Sequence, residues 1–155
     1  MTAPAQGHVA DGVHHFPIRV YYEDTDAAGI VYYANYLKFA ERARTEMMRC
    51  LGVEHEKIRR DAGVVLAVRR ATIDHLAPAR LDDELQVTTR LIAAAGATVT
   101  LAQEVRRGSD VLARLELIVA CLTTSGRPRR LPPALVAALA SIFRKDQHMV
   151  SEHAH

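Results

Sequence analysis

Tyr21-Tyr22-Glu23-Asp24-Thr25-Asp26-Ala27-Ala28-Gly29-Ile30-Val31-Tyr32-Tyr33-Ala34-Asn35-Tyr36 is the stretch that decides the fold of this chain. It joins a strand-like segment to a helix-like one through a cluster of acids and a glycine. Before it, Ile18, Val20 and Tyr22 alternate with Arg19 and Tyr21, the period of a half-buried strand over residues 16–22. After it, Leu37, Ala40, Ala43, Met47 and Leu51 recur at helical spacing and make one apolar stripe on a helix over residues 34–51. Asn35 is a suitable N-cap for that helix, and Gly52 a suitable residue just past its end.

The acids need a separate explanation. A carboxylate is costly to bury unless it is paired or hydrogen-bonded, so Glu23, Asp24 and Asp26 form either a solvated turn or a site. Free N–H groups at a helix start, with the helix dipole behind them, can stabilise a developing oxyanion. A carboxylate close by can attack a carbonyl carbon or activate water. Gly29 lets the backbone approach a ligand closely. Acid, glycine and helix start in one short segment make a compact recipe for acyl transfer.

Downstream, residues 54–60 suit a second short helix, and Gly63 restarts extended chain. Residues 63–76 read as a long strand. Leu85, Val87, Thr89 and Leu91 alternate in the next strand, Val99, Leu101, Gln103 and Val105 in a third, and Val111 to Cys121 in a fourth. Ala95-Gly96-Ala97 and Arg107-Gly108-Ser109-Asp110 are the turns between them, so the last two strands are hairpin neighbours. Residues 134–143 suit a terminal helix with Pro133 at its first position. A strand, a long helix and then strands joined by short turns favours an α+β fold, with one helix laid across a curved antiparallel sheet.

At 155 residues the chain fits one domain, placed at residues 16–144. Residues 1–15 read as a flexible N-terminal tail and residues 145–155 as a flexible C-terminal one. His153 and His155 are metal-ligating types within that tail. A net charge of +2, with arginines in scattered pairs, does not point to nucleic acid. Cys50 and Cys121 lie far apart in apolar segments and read as buried thiols. No basic start leads into an apolar core, and no apolar run approaches the roughly 20 residues of a membrane span. A cytoplasmic protein is the expectation. Zinc-binding His-Glu-x-x-His and Cys-x-x-Cys patterns and a Gly-x-Ser-x-Gly elbow are all absent from the sequence, so a metal-free reaction is expected.

The run Arg19 to Tyr36, continued by Glu41-Arg42-Ala43-Arg44-Thr45-Glu46, resembles the hotdog-fold acyl-CoA thioesterases. It is most similar to their Tol-Pal-system-associated branch and more distantly to 4-hydroxybenzoyl-CoA thioesterase. Ala77-Pro78-Ala79-Arg80-Leu81-Asp82-Asp83 resembles a second signature of that branch. The resemblance covers residue 16 to the terminal helix. It implies a curved sheet around one long helix, and a homodimer or homotetramer with sheets joined edge to edge and active sites at the subunit interface. It also implies hydrolysis of an acyl-CoA to free acid and CoA, with no cofactor beyond the CoA of the substrate. An acyl carrier protein thioester is an alternative substrate.

By the same resemblance Asp26 is the catalytic carboxylate, as nucleophile or general base. The backbone N–H of Tyr33 polarises the thioester carbonyl, and Gly29 shapes the loop. Asp24 and Glu23 support. Tyr32 and Tyr36 pack, and His75 is a strand residue. Glu41, inside the helix, is a minor alternative carboxylate, with an ion pair to a nearby arginine as its default role. Two departures from the pattern are visible. Some members of the branch carry a histidine at the position of Tyr33, and the 4-hydroxybenzoyl-CoA enzyme holds CoA phosphates with a basic turn where this chain has the uncharged Ala93-Ala94-Ala95-Gly96-Ala97. Arg69, Arg70, Arg127, Arg129 and Arg130 are the remaining candidates for the phosphates. Competing functions are a non-catalytic binding or scaffold module of the Tol-Pal envelope system and a hotdog dehydratase, which would need a histidine facing the acid.

Overall fold

The computed structural model describes residues 5–153, with side chains to Phe143. Its strands are β1 (His8–Ala10), β2 (Val13–Arg19), β3 (Val64–His75), β4 (Glu84–Ala95), β5 (Thr98–Arg107) and β6 (Asp110–Thr123). Its helices are α1 (Asn35–Cys50), α2 (His55–Ala62) and α3 (Pro133–His153). The strands form one antiparallel sheet in the order β1-β2-β4-β5-β6-β3. Register shifts at Val68/Arg70, Leu91/Ala93 and Val105/Arg106 bend it, since an extra residue on one strand kinks the ladder and raises its twist. The inward curve holds α1. The α+β, helix-on-sheet expectation is borne out.

The N-terminal boundary is a correction. Residues 8–15, expected as tail, are sheet. Asp11 and Gly12 take φ of 53° and 74° between the paired Ala10 and Val13. That is a two-residue hairpin turn with both central residues left-handed, the geometry for which Asp-Gly is favoured. At the other end α3 runs on to His153, past the expected limit at residue 143. The side chains of His153 and His155 lie outside the described residues.

Helix α1 also differs in detail. Its buried face is Tyr36, Phe39, Ala40, Ala43, Met47 and Met48, while Leu37 is exposed. Tyr36 takes the inward place because its hydroxyl accepts the Ala79 N–H at 3.0 Å inside the core. Its N-cap is Ala34, which makes no side-chain cap bond. The Asn35 amide instead donates to the Asp24 carbonyl at 2.8 Å. At the C-terminus, Gly52 and Val53 donate to Arg49 and Met48, the reciprocal pair that satisfies the last carbonyls of a helix. Cys121 is buried as expected, whereas Cys50 is only half-buried.

A polar row crosses the core. His14 pairs with Thr89, and Thr89 with Gln103, on adjacent strands. The Gln103 amide nitrogen donates to Thr89 Oγ1 at 2.9 Å and to the Ala40 carbonyl at 3.0 Å. Its oxygen accepts from Arg44 Nη1 at 3.0 Å. The network pins α1 to β4 and β5, and because the amide uses both ends it escapes the cost of a buried unpaired polar group.

His14 is less well served. Nε2 donates to the Gln6 carbonyl at 2.7 Å, but Nδ1 is buried with no partner among the described residues. Burial lowers its pKa below the ordinary imidazole value, reinforced by His15 and His8 and opposed by the Gln6 bond and Glu46. The unfolded chain therefore binds a proton more readily than the folded one below about pH 6.5. Stability should be full above that pH and fall as pH drops through the lowered folded value. Thermal melts from pH 7.5 to 5.5 should show the decline, and His14→Gln should flatten it. An unchanged slope in the variant would contradict the assignment.

Candidate active site

The segment between β2 and α1 is built around Asp24, not Asp26. A single 3-10 turn over Tyr22–Asp24 carries the chain off the sheet. Asp24 is 2% exposed, and its carboxylate accepts the Tyr21 N–H at 2.8 Å. Its carbonyl accepts the Tyr32 N–H at 3.0 Å and the Asn35 amide. One residue thus ties together the start and end of the loop and the first turn of α1. A carboxylate so buried is tolerated because it is hydrogen-bonded.

Asp26 lies two residues further along that loop. Its backbone exchanges bonds across a tight turn, with Asp26 N–H donating to the Ile30 carbonyl at 2.9 Å and Gly29 N–H to the Asp26 carbonyl at 3.0 Å. Gly29 sits at φ 77°, a left-handed conformation that side-chain-bearing residues avoid. This backbone requirement is what the glycine meets. Asp26 Oδ1 accepts the Ala28 N–H at 2.8 Å. Among the described residues its other oxygen has no partner, and the side chain is exposed. Glu23 is exposed as well. The structure thus divides the acids into a buried support and an accessible carboxylate.

The second signature, 77–83, braces this loop from β4's side. Val31 N–H donates to the Ala79 carbonyl at 2.8 Å, Ile30 bridges to Arg80, and Asp83 binds Arg107 at 2.8 Å and the Arg80 N–H at 2.9 Å. These bonds with Arg80 and Arg107 hold the Asp83 carboxyl below the usual carboxylate range, against the opposing effect of its burial.

At the start of α1 the backbone N–H groups of Tyr33 and Ala34 find no acceptor among the described residues. Tyr33 is 64% exposed. These are the free donors expected at a helix entrance, and anions are favoured there. Tyr36 packs as expected, whereas Tyr32 and Tyr33 are exposed. Glu41 lies on the exposed face of α1 and makes no ion pair among the described residues, contrary to its expected default role.

His75 is the strand residue expected, the last of β3, but the sequence did not place it beside Tyr33: its Nε2 lies 3.2 Å from the Tyr33 carbonyl, with its ring edge-on to Tyr33 and Tyr36. The two positions are 42 residues apart in the chain, so no local pattern could have joined them. None of the basic candidates bonds Asp26 among the described residues. Arg69 and Arg70 sit at the β3 bulge, and Arg129 reaches the Ala62 carbonyl at 3.5 Å beyond the end of β6.

Tyr21, Tyr22, Tyr32 and Tyr33 of the loop, Leu37 in the first turn of α1 and Leu76 just after β3 are all exposed. A cleft of about 560 Å³ lies elsewhere, on the sheet face turned away from α1, among Arg70, Arg90, Arg114, Glu104 and Glu116. No helix among the described residues is long and apolar enough to cross a membrane.

The chain is similar to known thioesterases. The thioesterase-like superfamily matches residues 20–139. The acyl-CoA thioester hydrolase YbgC of Escherichia coli O6:H1 is 40% identical over 124 residues, covering 79% of this chain and 92% of that protein. The acyl-CoA thioesterase YbgC of Haemophilus influenzae is 42% identical over 107 residues, covering 69% of this chain and 79% of that protein. The crystal structure of a probable thioesterase from Bartonella henselae superposes with a TM-score of 0.74 at 34% identity, covering 77% of this chain and 99% of the other.

Proposed function

We infer from its site that this chain, which belongs to the thioesterase-like superfamily, hydrolyses acyl-CoA thioesters to free acid and CoA with Asp26 as the catalytic carboxylate. The observation that carries the reading is the pairing of one exposed, half-used carboxylate with two unpartnered N–H groups at the entrance of α1. The thioester carbonyl accepts from the Tyr33 N–H, and charge developing on that oxygen in the transition state strengthens the bond. Asp26 attacks the carbonyl carbon or takes a proton from the attacking water, and the CoA thiolate leaves. Gly29 holds the loop in the left-handed bend that turns Asp26 outward. Glu41, away from this loop on the exposed helix face, is the weaker carboxylate.

The working unit is a homodimer joined along β3, or a homotetramer built from two such dimers. Two features support this: among the described residues β3 is an edge strand with Val68 exposed on it, and Tyr21, Tyr22, Tyr32 and Tyr33 of the Asp26 loop are exposed. An unpaired edge strand of this length is a template for a second chain. The partner closes the acyl pocket and excludes water. The resemblance to the Tol-Pal-associated branch supports a cytoplasmic role beside that envelope system, on a CoA or an acyl carrier protein thioester. A thiol-release assay on short, long and aromatic acyl-CoAs tests the reading. Turnover on at least one is expected, and none on any would turn it into a binding module.

A further inference from the structure

We propose that His75 is a positioning residue for hydrolysis, holding the backbone turn that presents the oxyanion donors. The proposal rests on the reading of the Asp26 site given above. Asn35 N–H donates to the Tyr32 carbonyl at 2.8 Å, so Tyr32 to Asn35 is a four-residue turn with Tyr33 and Ala34 at its corners. The free N–H groups belong to those corner residues. Three contacts fix the turn from the rest of the molecule: Tyr32 N–H to Asp24, the Asn35 amide to Asp24, and His75 Nε2 to the Tyr33 carbonyl at 3.2 Å. The first two hold its ends. Of the corner residues, Ala34 is held through its carbonyl by Leu37 N–H within α1, and among the described residues His75 is what holds the Tyr33 carbonyl from outside the helix.

The peptide that His75 grips is the one joining Tyr33 to Ala34. A donor on its oxygen fixes the plane of that peptide, and so the direction of Ala34 N–H, the second free donor; it also pins residue 33 itself, whose own N–H lies on the preceding peptide. It also polarises the amide, because hydrogen bonds in series strengthen one another. The imidazole is itself set by its neighbours. Its ring meets Tyr36 edge-on at 5.3 Å and Tyr33 at 6.1 Å, and Tyr36 is anchored through its hydroxyl to Ala79. β3 is an edge strand, so this clamp couples the rim of the sheet to the catalytic turn. The histidine donates to a main-chain carbonyl, whose place does not depend on which side chain stands at residue 33.

Two substitutions separate this role from packing. His75→Phe keeps an aromatic ring between the tyrosines and removes the donor. His75→Gln keeps a donor near the position of Nε2 and removes the ring. His75→Phe should lower kcat about tenfold, the size of one lost hydrogen bond, with KM held within about twofold, and His75→Gln should recover most of the loss. Wild-type kcat in His75→Phe, a change in KM alone, or a His75→Gln as slow as His75→Phe would each overturn the proposal. Amide exchange at Tyr32 and Asn35 reads the clamp without catalysis. Faster exchange in His75→Phe but not in His75→Gln is expected, and unchanged exchange would refute the clamp. Asp26→Asn assayed in parallel keeps the two readings apart, because its loss of turnover does not depend on His75.

Discussion

Asp26→Asn should release CoA about a hundredfold to ten-thousandfold more slowly than the wild type, the range for losing a general base, and more if Asp26 is the nucleophile. An amide neither attacks a carbonyl carbon nor accepts a proton from water. The fold should be indifferent to the change. Asp26 is exposed, and its only described side-chain bond accepts the Ala28 N–H, which an asparagine oxygen accepts equally. Surface substitutions of this kind ordinarily move stability by no more than about 0.5 kcal/mol. Melting temperature and oligomeric state should therefore match the wild type, and the loss should fall on kcat. The same could not be said of Asp24, whose buried carboxylate and carbonyl hold the loop together.

Tyr33→Pro should lower kcat about a hundredfold to a thousandfold, as removal of an oxyanion donor does elsewhere. The substitution is unusually clean because of where Tyr33 lies. It is the second residue of the turn from Tyr32 to Asn35, a position where proline is favoured. Its N–H has no acceptor among the described residues, so the ring nitrogen breaks no existing bond. Proline just before a helix is also tolerated, since the N–H groups there have no intrahelical partner. Tyr33→Ala is the control: it removes the phenol, keeps the N–H and should lose far less. If the two variants behaved alike, the side chain and not the backbone would be the functional part of residue 33.

The helix-on-sheet architecture was legible because it rests on periodicity. The alternating residues of β4, β5 and β6 and the Gly-containing turns between them carry enough repeats to be read. The stripe on α1 was read one residue out at its start, where a tertiary bond from Tyr36 to Ala79 outweighs the simpler choice of Leu37. The N-terminal hairpin was missed because its strands are short and histidine-rich. His14 is buried beside the buried Val13, which breaks the alternation. Its one local signal was Asp11-Gly12, the turn that builds it.

The site divides in the same way. Asp26, Gly29 and Tyr33 are neighbours in sequence, and a loop of that composition at a helix start announces itself. Which acid is buried depends on the amide of Asn35 and the backbone of Tyr21 and Tyr32, and only the folded chain shows that. That His75 meets Tyr33 was invisible for a related reason. The far edge strand brings it to Tyr33, and strand order is set by the packing of the whole sheet.

Thiol release from the panel of acyl-CoAs, with wild type and Asp26→Asn run side by side at matched oligomeric state, tests the account most directly. It predicts that the wild type turns over at least one member and that the variant, folded and assembled alike, releases almost no CoA from that same substrate. Equal rates from the two proteins would show that Asp26 is not the catalytic carboxylate.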